Sequence, residues 1–172
     1  MTTTCPFALL GIAPRFEVSA EELRRAWMRR QALAHPDAGG GVDDAARLND
    51  AYQVLVSPLS RAQALLDCFE APAGDVRALP PGFLLQMMEL RERLDTAGTN
   101  AIALDELTRE GEQIRTDATA QLAAALGAAR GGRIELKHAQ SARESMNVLR
   151  AVDRMLEQVA QSRSGGAVHG AQ

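Results

Sequence analysis

Residues 19–37 read Ser-Ala-Glu-Glu-Leu-Arg-Arg-Ala-Trp-Met-Arg-Arg-Gln-Ala-Leu-Ala-His-Pro-Asp, and this stretch decides the first half of the fold. Ser19 and Glu22 have the spacing of a capping box, in which a serine side chain accepts a hydrogen bond from the first turn of a helix. Pro36 disfavours helical dihedral angles at the residue before it, so the helix must end there. The sequence therefore predicts a helix over 20–34 that leads into a proline-containing turn.

Further helical patterns lie on both sides of this stretch. Apolar residues recur at helical spacing between capping, glycine and proline signals, which predicts helices over 6–10, 43–56, 59–69, 83–96, 101–129 and 134–161. Ile102 and Leu136 are counted among the apolar members of the last two helices. The sequence is rich in proline and glycine between 71 and 82, which predicts a hinge.

This pattern predicts an all-α protein of two domains and a tail. We expect an N-terminal helical hairpin with flanking helices over 1–75. Three amphipathic helices joined by short turns pack antiparallel most simply, so we expect a three-helix bundle over 76–161. The glycine- and alanine-rich segment 162–172 is expected to be disordered.

Composition excludes several classes of function. The formal net charge of -3 gives no global basic field for nucleic acid. No apolar run approaches the roughly 20 residues that span a bilayer, and the first residues lack a signal-peptide pattern, so we expect a soluble, cytoplasmic protein. Cys5 and Cys68 have no Cys or His partner at a zinc-binding spacing, and we expect no metal and no cofactor. Two reduced thiols are the favoured interpretation of this pair, and a disulfide is the alternative.

The tripeptide His35-Pro36-Asp37 is the sharpest local feature. Proline fixes its own backbone and removes a donor, so the flanking polar side chains form a rigid tip that can dock a partner at low entropic cost. An enzymatic interpretation, with His35 as base, is disfavoured because no nucleophile is apparent nearby. The preceding helix carries a basic face that favours an acidic partner surface, formed by Arg24, Arg25 and Arg29 together with Arg30.

The capped basic helix, the tripeptide and the following Leu-Asn-Asp-Ala-Tyr-x-x-Leu resemble the J-domain, by which co-chaperones engage DnaK-type ATPases. The resemblance covers about Cys5 to Phe69. It implies that Asp37 engages an arginine of the chaperone, that His35 and Pro36 hold the loop, and that the arginines dock the helix. Such coupling is allosteric, because the co-chaperone must bind one chaperone state better than another.

The second half is similar to the HscB type of J-protein. The similarity is carried by Ser-Pro-Leu-x-Arg-Ala-x-x-Leu-Leu at 57–66 and by Phe-Leu-Leu-x-Met-Met-Glu-Leu-Arg-Glu-x-Leu-Asp at 83–95. It implies an L-shaped adaptor whose bundle binds an iron–sulfur cluster scaffold. Ala151 occupies a position where the family commonly places an aromatic, which predicts a smaller binding patch.

Periodicity gives the helix at 83–96 two apolar faces. One stripe, Phe83, Met87, Leu90 and Leu94, suits a bundle core, and a helix that is apolar on a second face needs another surface to cover it. That cover is either the other domain, as interdomain core, or a partner. By resemblance, the scaffold-binding residues are Leu84, Leu85, Met88, Glu89 and Glu92.

The predicted function is that of a co-chaperone and not of an enzyme. It would stimulate the ATPase of a DnaK/HscA-type chaperone and deliver the scaffold IscU to it for maturation of iron–sulfur proteins. The nearest alternative is a J-domain co-chaperone for a different client. A helical enzyme that uses His35 and a nucleic-acid-binding hairpin are more distant alternatives.

Overall fold

The computed structural model describes residues 5–34 and 42–168. These residues contain seven helices, and no residue in the described ranges is assigned to a strand. The all-α prediction is confirmed. The helices are α1 (Pro6–Leu10), α2 (Ala20–Leu33), α3 (Val42–Val56), α4 (Pro58–Cys68), α5 (Phe83–Ala97), α6 (Ala101–Gly127) and α7 (Leu136–Val168).

Helix α2 begins at the capping serine that the sequence indicates. The Ser19 hydroxyl accepts a hydrogen bond from the backbone N–H of Glu22 at 3.1 Å. The Glu22 carboxylate does not return to the cap, however. It accepts two hydrogen bonds from the Arg15 guanidinium, at 2.6 and 2.7 Å. The serine half of the capping box is therefore formed, and the glutamate instead ties the preceding segment to the first turn of α2.

The chain divides into two compact units. The first comprises Met1–Gly74 with Ala123–Ala139, and the second comprises Asp75–Leu122 with Gln140–Gln172. The first division falls between Gly74 and Asp75, inside the proline- and glycine-rich segment. The end of α6 and the start of α7 group with the first unit, which sequence patterns did not indicate.

In the first unit, α1 packs against α2 and α3, and α3 also packs against α2 and α4. A polar cluster joins α2 to α3. The Asn49 side-chain oxygen accepts from Trp27 Nε1 at 2.9 Å and from Gln31 Nε2 at 2.7 Å. The rings of Trp27 and Tyr52 lie 5.3 Å apart between centroids. The core of this unit is built from apolar side chains on four helices, including Phe7, Leu10, Leu23, Leu55, Leu65 and Leu66.

The second unit contains α5 and most of α6 and α7. Gly111 marks a close helix approach, because a Cβ at this position would lie 2.6 Å from the Met155 methyl carbon. The buried side chains of this unit include Phe83, Met87, Leu90, Leu94, Leu104, Leu107, Met146 and Val152. All four residues of the predicted α5 stripe are among them.

The predicted hinge is fixed at its C-terminal part to α7. Gln140 accepts from the backbone N–H of Asp75 and donates to its carbonyl, both at 3.1 Å. Asn147 Nδ2 donates to the carbonyls of Val76 and Ala78, each at 3.0 Å. Residues 75–78 are therefore part of the second unit.

Two residues that were counted among the apolar members of α6 and α7 are exposed. Ile102 is 74% exposed and Leu136 is 53% exposed. Each lies in the first turn of its helix and off the face that the helix buries. Periodicity placed both residues in the correct helices, but it does not determine which face is buried near a helix end.

The prediction of a disordered tail from Ser162 was wrong for 162–168, because α7 continues to Val168. The Arg163 guanidinium binds the Asp105 carboxylate and donates to Thr108 Oγ1 at 3.1 Å, both on α6. The Ser164 hydroxyl donates to the Ala160 carbonyl at 2.8 Å. These bonds support the helix beyond Val159, the last buried apolar side chain of its described part. Residues 169–172 lie outside the described part of the chain.

The prediction of two reduced cysteines was also wrong. Cys5 and Cys68 form a disulfide, with their Cα atoms 5.6 Å apart. Cys5 is the N-cap of α1 and Cys68 is the last residue of α4. The packing of α1 and α4 into one unit brings together two thiols that are 63 positions apart.

Candidate protein-binding surfaces

Helix α5 carries the more apolar of two exposed surfaces. The helix begins after Gly82, whose φ of 80° favours glycine, and ends at Gly98, whose φ of 53° does the same. Successive residues of an α-helix are rotated by about 100°, so the buried stripe occupies one side and a second group of residues occupies the opposite side. We call this second group the α5 patch, and it consists of Leu84, Leu85, Met88, Glu89 and Glu92.

The α5 patch is solvent-exposed in all its members. Leu84, Leu85 and Met88 are 65%, 61% and 60% exposed, respectively. Single exposed apolar residues are ordinary, but contiguous ones at helical spacing are typical of protein-binding surfaces. The apolar residues lie in the first two turns of α5 and the two glutamates follow them. The patch therefore fits a partner surface that is apolar at one end and basic at the other.

Helix α2 carries the second surface. Arg24, Arg25 and Arg29 are all exposed on one side of the helix, as predicted. Arg25 also lies 3.6 Å from the Glu21 carboxylate, one turn earlier. Because that pair is exposed, it is worth little and leaves the guanidinium available to a partner.

Met28 lies within this surface and was missed by sequence reasoning. It is 53% exposed, and it follows Arg24 by one turn. A methionine at this spacing among arginines gives the surface an adaptable apolar centre. The spacing was readable from the sequence, but a lone methionine in a helix is more often a core residue. We call the group Arg24, Arg25, Met28 and Arg29 the α2 face.

The tripeptide His35-Pro36-Asp37 lies outside the described residues. Helix α2 leads up to it and ends at Leu33, where the N–H of Ala34 donates to the carbonyl of Arg30 at 3.0 Å. Helix α3 begins after it, at Val42. The ends of these two helices thus bound the segment that contains the tripeptide.

The described parts of the chain show neither a cluster of metal ligands nor a membrane-spanning helix. Within 5–34 and 42–168, no three acidic, cysteine or histidine side chains converge as metal ligands would. In the same residues, no helix combines the length and apolarity needed to cross a membrane. Ala151, where an aromatic was expected from the resemblance, is half-buried on α7.

A two-unit helical fold with one basic helix face and one apolar, acidic helix face is typical of a protein-binding adaptor. Comparison with known proteins agrees. The chain is 34% identical over 131 residues to the co-chaperone protein HscB homolog of Chromobacterium violaceum, covering 70% of this chain and 75% of that protein. It is 33% identical over 153 residues to the homolog of Ralstonia nicotianae, covering 81% and 85%. The family model described as the HSCB C-terminal oligomerisation domain matches residues 79–160.

Solved structures give the same result. The chaperone HscB from Vibrio cholerae superposes with a TM-score of 0.69 at 27% identity, over 93% of this chain and 98% of that one. The human co-chaperone protein HscB shares the fold, with a TM-score of 0.72 at 22% identity over 94% and 83%. The chain belongs to the HscB family of co-chaperones, which act in iron–sulfur cluster assembly.

Proposed function

We propose that this chain stimulates ATP hydrolysis by a DnaK-like chaperone of the HscA type and delivers the iron–sulfur scaffold IscU to it. The observation that carries the proposal is the α5 patch. Its three apolar side chains stay at least 60% exposed on a helix whose opposite side is buried in the bundle. An exposed apolar surface of this kind lowers the solubility of a protein unless a partner covers it.

The α2 face is proposed as the docking surface for the chaperone. Its arginines are exposed on one side of a helix in a protein with a formal net charge of -3. Local positive charge accelerates encounter with an acidic partner surface and makes that encounter sensitive to salt. The helix leads directly to the tripeptide, and Asp37 is proposed to act on the chaperone, with His35 and Pro36 holding the loop.

Two binding surfaces on one chain raise the effective concentration of the client at the chaperone. A scaffold bound through the α5 patch meets the chaperone as part of the same complex, so its capture becomes nearly intramolecular. In this proposal the chain needs no cofactor, binds neither nucleotide nor metal, and catalyses nothing itself. Action in the cytoplasm, away from membranes and nucleic acid, remains a prediction from the sequence.

The experiment that tests the proposal is single-turnover ATP hydrolysis by a purified chaperone of the DnaK class, with and without the scaffold. We expect stimulation by this chain alone and a larger, synergistic stimulation when the scaffold is added. A variant with Leu84, Leu85 and Met88 replaced by Ala should keep the first effect and lose the second. The single replacement Ile102→Ala, at an apolar α6 residue that is 74% exposed, is the matched control.

Charge reversal separates the second surface from the first. Arg29→Glu should weaken both effects, because the chaperone itself is no longer docked, whereas the exposed Arg154→Glu on α7 should change neither. Stimulation of the chaperone without synergy from the scaffold would favour the alternative function, that of a J-domain co-chaperone for a different client. The absence of any stimulation would contradict the proposal as a whole.

A further inference from the structure

The Cys5–Cys68 disulfide holds the N-terminal end of α1 against the C-terminal end of α4. Helix α1 is only 5 residues long, far below the length at which an isolated helix is stable in water. Its place in the first unit therefore depends on tertiary contacts. These contacts are the burial of Phe7 and Leu10, which are 0% and 2% exposed, and the disulfide itself.

The disulfide closes a long loop. The two cysteines are 63 positions apart, and the loop between them contains α1, α2, α3 and most of α4. In the unfolded chain such a crosslink removes much conformational freedom, and the stabilisation that results grows with loop length. A large share of the stability of the first unit should therefore depend on this one bond.

Both cysteines are only half-buried. A sulfur atom that solvent reaches can be attacked by a thiolate, whereas a sulfur sealed in a core cannot. The bond therefore combines a large effect on stability with an incompletely buried position, at which we expect small thiols to reach the sulfur atoms.

We infer that Cys5 and Cys68 form a thiol-sensitive clasp that sets the stability of the first unit according to the redox state of the surrounding low-molecular-weight thiols. In the reductive direction, a glutathione thiolate attacks one sulfur, forms a mixed disulfide and releases the other cysteine as a thiol after protonation. A second glutathione then attacks the mixed disulfide. In total, one protein disulfide and two molecules of glutathione are converted into two protein thiols and one glutathione disulfide.

Reduction leaves α1 held only by its packing against α2 and α3, in which Phe7 and Leu10 are buried. The end of α1 that carries Cys5 then frays, and the apolar surface that α1 covers on α3 becomes accessible to water more often. Oxidation restores the clasp. The folded fraction of the unit that bears the α2 face thus follows the ratio of reduced to oxidised thiol.

The test uses the full chain equilibrated with reduced and oxidised glutathione at a series of ratios. Maleimide labelling followed by mass measurement counts the free thiols, and urea unfolding followed by Trp27 fluorescence reports the first unit, because this is the only tryptophan of the chain. We expect the labelled thiols to rise from none to two across the series. The equilibrium constant for unfolding should rise by roughly a thousandfold, the effect of opening a loop of this length.

The double variant Cys5→Ser, Cys68→Ser is the matched control and should unfold like the reduced chain at every ratio. Should that variant fold poorly, the reduced wild-type chain supplies the same comparison. Three results would overturn the inference. They are two free thiols at every ratio, a disulfide that no ratio opens, and an unfolding curve that does not move when the disulfide opens.

Discussion

Replacing the apolar part of the α5 patch should abolish tight scaffold binding without weakening the fold. Leu84, Leu85 and Met88 keep 65%, 61% and 60% of their surface exposed, and this is the area that a partner would cover. Full burial of such a side chain is worth about 1.5–3 kcal/mol, so each residue should contribute about 1 kcal/mol on binding beyond what alanine provides. The triple replacement by Ala should thus reduce the binding free energy by about 3 kcal/mol, which raises the dissociation constant roughly 100-fold.

The assay is isothermal titration calorimetry of purified IscU-type scaffold into the wild-type chain and its variants. Urea unfolding should show little change for the triple variant, since exposed positions contribute little to stability and alanine favours helix. Ile102→Ala should bind like the wild type. A loss below about threefold in the triple variant would refute the assignment of the patch, as would an equal loss in the control. Sedimentation of the free chain would show whether the patch instead joins two copies.

Two further predictions concern the fold. Gly111→Ala should lower the free energy of unfolding by about 1 kcal/mol, because the steric cost of a Cβ 2.6 Å from the buried Met155 exceeds the gain in helix propensity. Gly127→Ala should not destabilise the chain, because a Cβ at this position would meet nothing within 4 Å. If urea denaturation showed Gly111→Ala to be the more stable of the two variants, α6 and α7 would have room to separate. Ser19→Ala should cost about 1 kcal/mol by removing the N-cap of α2. Ser19→Asp should retain that stability, and equal losses in both variants, or no loss in Ser19→Ala, would show that the capping hydrogen bond does not contribute.

The starts of helices could be read from the sequence because their signals are local. Ser19 was predicted to cap α2, and its hydroxyl accepts from the backbone N–H of Glu22. Ser57 caps α4 in the same way, by accepting from the N–H of Ser60, although it was not predicted as a cap from the sequence. The side of α5 that is buried was also predictable, since a stripe at helical spacing identifies one face of a helix. The apolar members of the α5 patch, Leu84, Leu85 and Met88, followed from the same periodicity, because they lie outside that stripe. Glu89 and Glu92 came only from the resemblance to HscB-type proteins.

Features that depend on distant parts of the chain could not be read in this way. The pairing of Cys5 with Cys68 requires α1 and α4 to meet, and no local pattern reports that contact. The extension of α7 past Gln161 is supported by the contact of Arg163 with Asp105 on α6. Met28 had a recognisable spacing, but whether a helical methionine faces the core or solvent is decided by the packing of the whole unit.

Asp37→Asn is the sharpest test of whether the chain acts on the ATPase of a DnaK-like chaperone. This replacement removes one negative charge and keeps the size of the side chain. In single-turnover hydrolysis, the wild-type chain should accelerate ATP cleavage and the variant should leave the rate at that of the chaperone alone. If the variant accelerated cleavage as well as the wild type does, Asp37 would have no part in the activity and the account would be contradicted.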